Sequence, residues 1–382
     1  MIQRSAVKFI HSLAEQFPAI LILGPRQCGK TTLAKHYLRG EYFDLERPSD
    51  YEIFADNIEF AISQFKGPLI FDEAQMMPDL FPVLRSLIDQ KRNQNGRFYV
   101  LGSVNPALIR NISESLAGRV GILELTPFLY PEVRSTGIDL QTYWLRGGYA
   151  DALKEDRAAR WKLWQENYVR TFIERDIPRQ NVKISSIQMR RLFTMIAHQH
   201  GGILNSSELG RSLGISYHTV NDYLDIQEGH YLIRRLQPYH PTIKKRIVKS
   251  PKVYIRDNGV LHYLLGISSV RNLQESPKRG NSWESLLIEQ LIAMEQLRNI
   301  GSQFFYYRTH AGAEIDLIVD RGEEKIGYEF KCAMSAGKKD SLNLKNGIEE
   351  GIIHKGFLVY LGERKYEIMQ DLVVINAEEI LI

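Results

Sequence analysis

The sequence predicts an α/β protein whose first 135 residues build a parallel sheet, and three observations carry that expectation. Short apolar runs alternate with stretches of helical period, the pattern of strands joined by crossover helices. A glycine-rich loop, Gly24 to Thr31, stands between one such run and one such stretch. The composition, 44% hydrophobic and 25% charged over 382 residues, is that of a folded globular chain with room for roughly two to three domains.

Taken in order, strands are expected at Ala19–Leu23, Tyr42–Asp44, Pro68–Phe71 and Phe98–Leu101, with helices after the first, third and fourth. Residues 136–200 read as a helical segment, because Trp161, Trp164, Tyr168, Phe172 and Ile173 recur at three and four residues as a core-facing stripe. In residues 201–270, Asn205-Ser-Ser-Glu208 forms a capping box that opens a short helix ending at Gly214. A second helix starts at Ile215-Ser216 and runs through Thr219, Val220, Tyr223 and Leu224. That spacing is helix-turn-helix, and Leu232–Leu236 with Ile247–Ile255 would add a wing tipped by Lys244, Lys245 and Arg246, giving a winged-helix segment. Arg271–Asn281, polar and holding a proline and a glycine, reads as a linker. Residues 275–382 form a last α/β segment, with a helix around Trp283 and strands Phe304–Arg308, Glu314–Asp320 and Lys325–Lys331.

Several classes are excluded. No apolar run approaches the roughly 18 residues of a membrane-spanning helix, so no membrane partner is expected. Met1-Ile-Gln-Arg-Ser carries no secretory hydrophobic region, and Cys28 and Cys332 cannot make a disulfide framework. A reduced, cytoplasmic protein is expected. The net charge of +4 is uneven: residues 1–149 are neutral, residues 150–274 carry a net +9 and residues 275–382 a net −5. The basic middle suits polyanions, with a solvated charged face as the plainer alternative.

The chemistry concentrates in three stretches. Gly24, Pro25, Arg26, Gln27, Cys28, Gly29, Lys30, Thr31 and Thr32 fit the phosphate-loop pattern, with a strand before and a helix after. Glycines let backbone N–H groups converge on phosphate at a helix N-terminus, Lys30 would neutralise the β- and γ-phosphates, and the Thr31 hydroxyl would ligate magnesium. The expected ligands are therefore ATP and Mg2+. In Leu69-Ile-Phe-Asp72-Glu73-Ala-Gln75, Asp72 would hold the magnesium through water and Glu73 would polarise the attacking water. Ser103, at the tip of the next strand, is a candidate sensor of the γ-phosphate. Arg119 at a helix end would reach a neighbouring subunit's γ-phosphate or else form a surface ion pair.

These stretches, with Ser113-Glu-Ser-Leu-Ala-Gly118-Arg119, Tyr168-Val-Arg-Thr-Phe-Ile-Glu-Arg-Asp176 and Tyr254-Ile-Arg-Asp-Asn-Gly259, resemble one group of bacterial and archaeal AAA-type ATPases. That group carries a C-terminal domain of unknown function, and the likeness covers nearly the whole chain. The chain departs from it at Val104-Asn105, which bears on the sensor role of Ser103. The resemblance implies a P-loop ATPase that forms a homo-oligomer, with a DNA-related role.

Asp316 on one strand and Glu329-Phe-Lys331 on the next, with Glu284 on the preceding helix, resemble the core of restriction-endonuclease-like PD-(D/E)xK nucleases. Glu284, Asp316 and Glu329 would converge on a metal ion, and strand alternation puts Lys331 on the side of Glu329. Glu314 shares a face with Asp316. Two functions follow: an ATPase that engages DNA, chiefly non-specifically, through the winged helix; or a nucleotide-dependent switch that binds a protein, with the C-terminal segment an inactive docking module. Asp222, Asp225 and Glu228 on the second helix weigh against DNA.

Overall fold

The computed structural model describes residues 2–102, 116–176, 185–240, 247–298 and 301–381. Ser103, Val104, Asn105, the Ser113–Ser115 stretch and Lys244, Lys245 and Arg246 lie outside them. The chain divides into two compact units: Met1–Phe128 with Gly229–Tyr231, and Leu129–Glu228 with Leu232–Ile382.

The N-terminal unit holds a five-stranded sheet of β1 (Ala19–Leu23), β2 (Glu41–Asp44), β3 (Leu69–Asp72), β4 (Phe98–Gly102) and β5 (Val120–Glu124), in the order β2-β3-β4-β1-β5. Every pairing is parallel. The five residues of β1 and the five of β4 are all buried, which is why both read as continuous apolar runs rather than alternating ones. Because the strands are parallel, the C-terminal ends of β1, β4 and β3 share one edge. Leu23 is in register with Gly102, and Phe71 with Val100. The fifth strand was not expected, since β5 alternates and exposes Ile122 as an edge strand does. Nor were the helices Pro48–Ala55 and Ile58–Ser63 after β2. Both are short, and Ile53 and Phe60 face solvent while Phe54, Ala61 and Ile62 go inward, so no apolar stripe marks them.

In the C-terminal unit the aromatic stripe is core, as its period implies. Trp161, Tyr168, Phe172 and Ile173 are buried with Trp164 packed against them. Helix Ser186–Gln199, strand β6 (Gly202–Ile203), helix Ser206–Leu213, helix Tyr217–Gly229 and strands β7 (Ile233–Pro238) and β8 (Lys252–Ile255) follow in order. Asn205 caps the second of these helices by accepting from the Glu208 N–H at 3.2 Å, and Gly214 ends it at φ +67. The β8 strand pairs antiparallel with both β6 and β7. Arg271–Asn281 is helical over much of its length rather than irregular. Ser269 caps a helix Val270–Glu275 whose Leu273 is buried, and helix Arg279–Gln296 begins within the same stretch. One inward leucine among polar residues left no period to read.

That long helix precedes β9 (Gln303–Arg308), β10 (Glu314–Asp320) and β11 (Lys325–Lys331), an antiparallel meander. Helix Leu342–Glu349 then crosses to β12 (Lys355–Tyr360), parallel to β11. The last strands, β13 (Tyr366–Met369) and β14 (Leu372–Asn376), complete a nine-stranded sheet ordered β13-β14-β12-β11-β10-β9-β7-β8-β6. Through β7 and β9 the helix-rich half and the C-terminal strands share one sheet.

Candidate nucleotide site and a buried carboxylate cluster

The loop after β1 is held in shape from several sides. A side chain at Gly24 would place its Cβ 2.1 Å from the Leu125 carbonyl oxygen, so only glycine lets the loop pass. Gln27 at φ +61 and Gly29 at φ +99 take left-handed conformations that turn the chain into helix Lys30–Tyr37. Beneath the loop, the buried Arg4 guanidinium donates to the Cys28 carbonyl at 2.8 Å and the Thr126 carbonyl at 2.6 Å. Sequence gave no hint of Arg4, because its partners lie 24 and 122 positions away.

Lys30, 6% exposed, points its ammonium back across the loop, donating to the Gly24 and Pro25 carbonyls at 2.9 Å each. Thr31 Oγ1 donates to Asp72 Oδ2 at 2.6 Å, so the helix start and the end of β3 meet as the spacing required. Asp72 is buried, and its other oxygen accepts from the Glu73 N–H at 3.0 Å. Glu73 stands in a left-handed turn at φ +51, which carries its carboxylate off the strand end, and Gln75 Nε2 donates to it. Tyr42, within β2, donates its hydroxyl to Asp72 Oδ2 at 2.7 Å; burial and the Asp72 carboxylate push its phenol well above the ordinary range. Tyr42 and Gln75 were not singled out from sequence, although Gln75 sits two residues beyond Glu73 in a motif that was.

A threonine hydroxyl and a carboxylate in contact are hard oxygen donors of the kind Mg2+ takes, so Thr31 and Asp72 fit that ion. Arg119 lies elsewhere in its own network. Its Nε and Nη2 grip Asp89 at 2.7 and 3.0 Å, a fork that holds the Asp89 carboxyl below its usual range.

In the C-terminal unit, Glu284, Glu314, Asp316, Glu329 and Lys331 do come together. Lys331 Nζ donates to Glu329 Oε1 at 3.1 Å, and the Phe330 N–H to Asp316 Oδ2 at 2.9 Å. Burial and the Glu329 and Glu284 charges push Asp316 well above a normal carboxyl. Burial likewise raises Glu329 to about 7 against the opposing Lys331 charge. The expected metal set differs in what it surrounds: the ammonium of Lys252, from β8, lies 2.8 Å from Glu284 Oε1 and 2.5 Å from Glu314 Oε1. Among the described residues no group of three or more His, Cys, Asp or Glu is arranged to hold a metal ion.

The Tyr254–Gly259 motif turns out to be a structural hub. Tyr254 donates its hydroxyl to Glu284 Oε1 at 2.5 Å, and the Ile255 N–H donates to His200 Nδ1 at 3.0 Å. Arg256 donates to Glu289 at 2.8 Å, and Asp257 accepts from the Gly148 N–H at 2.8 Å. Asn258 donates to the Ser282 carbonyl at 2.8 Å, and a Cβ on Gly259 would sit 2.1 Å from the Arg146 carbonyl oxygen.

Three family models match the chain: an AAA domain over residues 16–134, a domain of unknown function (DUF8612) over 137–271, and a domain of unknown function (DUF4143) over 279–380. Uncharacterized proteins of Mycobacterium tuberculosis and Mycobacterium bovis are each 38% identical over 99% of this chain and 84% of their own. An uncharacterized protein of Haemophilus influenzae is 22% identical, over 81% of this chain and 77% of its own. Among solved structures, the Drosophila ORC bound to DNA is similar at 12% identity over 70% of this chain and 96% of that one, with a TM-score of 0.25, too slight a likeness to carry an argument. The chain belongs to the family of these mycobacterial proteins, with an AAA-type ATPase domain followed by two domains of unknown function.

Proposed function

We infer that the chain binds and hydrolyses ATP with magnesium at the loop Gly24–Thr32, and that it couples turnover to DNA through the helices Ser206–Leu213 and Tyr217–Gly229. The observation that carries the first half is the Thr31–Asp72 contact with Glu73 directly beside it. Lys30 would exchange its two carbonyl partners for β- and γ-phosphate oxygens, a swap that keeps the buried ammonium paired throughout. Glu73, oriented by Gln75, would accept the proton of the attacking water. Magnesium held by Thr31 and, through water, Asp72 would supply charge to the leaving phosphate oxygens.

For the DNA half, the helix–strand–helix–helix–hairpin order supports a winged helix, and Arg211, Tyr217 and His218 are exposed around the turn. Two of the acids that weigh against DNA, Asp225 and Glu228, pair with Arg235 of β7. On this reading ATP turnover rises when double- or single-stranded DNA is added, and the rise shrinks steeply as salt increases. Equal turnover with and without either DNA at low salt would favour the second function, a switch that binds a protein. The carboxylate cluster speaks for that second function in one respect. An ammonium inside it fits a docking module built on a nuclease-like core better than a cleaving one.

A homo-oligomer with Arg119 serving the neighbouring site requires the Asp89 fork to open. We expect Arg119→Ala alone to keep most of its hydrolysis, and mixtures with Lys30→Ala to show no more than their content of Arg119→Ala chains supplies, which leaves Arg119 a structural partner of Asp89. Recovery that peaks in mixed assemblies would assign it to the neighbour instead.

A further inference from the structure

Four carboxylates meet inside the C-terminal unit, and the cation among them belongs to the chain. Lys252 is 2% exposed. Its ammonium contacts Glu284 Oε1 at 2.8 Å and Glu314 Oε1 at 2.5 Å, and Asp316 Oδ1 stands at 3.9 Å. The cluster has more oxygen than its own groups use. Glu329, 6% exposed, spends Oε1 on Lys331, while its Oε2 is buried with no hydrogen-bond partner. Arg308 at 3.3 Å answers the outer oxygen of Glu314, so the inner charge is left to Lys252 and Lys331.

A divalent ion would need these same oxygens at about 2.0–2.6 Å. An ammonium already in contact with two of them fills that volume, and its charge repels a second cation there. Moving Lys252 aside would strip a buried ammonium of its partners, which is far costlier than leaving it in place.

We propose that Lys252 is the resident cation of the Glu284–Glu314–Asp316–Glu329 cluster, that it excludes divalent metal from this nuclease-like core, and that a divalent-cation site lies latent beneath it. The core then keeps its carboxylates through an internal ion pair rather than through an exchangeable ion. This inference stands apart from the ATP reading, since none of these residues belongs to the nucleotide site.

The test is a titration of the full chain, without nucleotide, with Mn2+ read by electron paramagnetic resonance. Wild type and Asp316→Asn should bind the same number of ions, because the cluster takes none. Lys252→Met should gain one site per chain, and Lys252→Met with Asp316→Asn should lose it again. If the charge left without Lys252 prevents the single variant from folding, adding Glu314→Gln removes one carboxylate, leaves the other three, and must gain the same site. A wild-type site that Asp316→Asn deletes would overturn the proposal, as would a folded Lys252→Met chain that gains none. ATP turnover by the wild-type preparation reports on the nucleotide site alone, so its absence would count against that reading and not this one.

Discussion

Lys30→Ala should abolish ATP hydrolysis, and Glu73→Gln should keep nucleotide binding while lowering turnover roughly a hundred- to ten-thousand-fold, the usual contribution of a positioned general base. The two groups do separate work. Lys30 is buried and already satisfied by two loop carbonyls, so its removal takes away the charge that the triphosphate would meet there. Glu73 touches neither Lys30 nor Thr31 in the hydrogen bonds described; it is held by Gln75 at the mouth of β3. Glutamine at position 73 keeps the shape of that arrangement and loses only the ability to accept a proton. Binding of a fluorescent nucleotide, set beside release of phosphate, distinguishes the two losses. Gln75→Ala, which loosens Glu73 without removing it, should fall between wild type and Glu73→Gln in turnover with unchanged binding. Hydrolysis by Glu73→Gln at the wild-type rate would hand the water to another residue and sink the assignment.

The geometry of the candidate nucleotide site was legible because its parts are local. A phosphate loop needs its strand, its glycines and its helix one after another in the chain, and all three stand together in the sequence from Ala19 to Tyr37. Asp72 was legible for a related reason, as an acid at the end of an apolar run. What the sequence hid are partners that meet only through the sheet. Tyr42 reaches Asp72 because β2 lies beside β3, in register at Asp44 and Asp72, and no local pattern announces that pairing. The C-terminal cluster shows the same limit more sharply. Strand alternation rightly put Glu314 with Asp316 and Glu329 with Lys331, but the cation at their centre comes from β8, more than sixty residues before Asp316. Lys252 went unremarked within the Ile247–Ile255 half of the expected wing. Several charges of that basic segment are in fact consumed by acids outside it, Arg234 and Arg256 by Glu289 and Lys252 by Glu284 and Glu314. The net +9 therefore overstates what a polyanion would meet at the surface, which is a correction that only the packed structure supplies.

The largest stability effect should come from Glu289→Gln. Glu289 is 8% exposed on the long helix Arg279–Gln296 and binds two arginines at once. Arg234 of β7 donates through both Nε and Nη2, the second at 2.9 Å to Oε2, and Arg256 donates to that same oxygen at 2.8 Å. Burial alone would raise its pKa, yet the two guanidinium groups outweigh burial and hold it at about 2. Glutamine fills the same space but leaves two partly buried positive charges facing each other. Breaking such a triad from one side costs about 3–5 kcal/mol, most of it the penalty of the charges left behind. Since the folded pKa lies below the ordinary value of 4.5, the triad contributes its stability fully above about that pH and loses it as pH falls toward 2. Urea unfolding of the C-terminal unit should therefore show the wild-type advantage over Glu289→Gln at neutral pH shrinking below pH 4.5. Replacing all three groups together, Glu289→Leu with Arg234→Met and Arg256→Met, should recover most of the loss, because well-packed apolar side chains carry no unpaired charge. If Glu289→Gln unfolds within about 1 kcal/mol of wild type at pH 7, the arginines find other partners or water, and the triad is not what joins the helix Arg279–Gln296 to β7 and to Arg256 beyond β8.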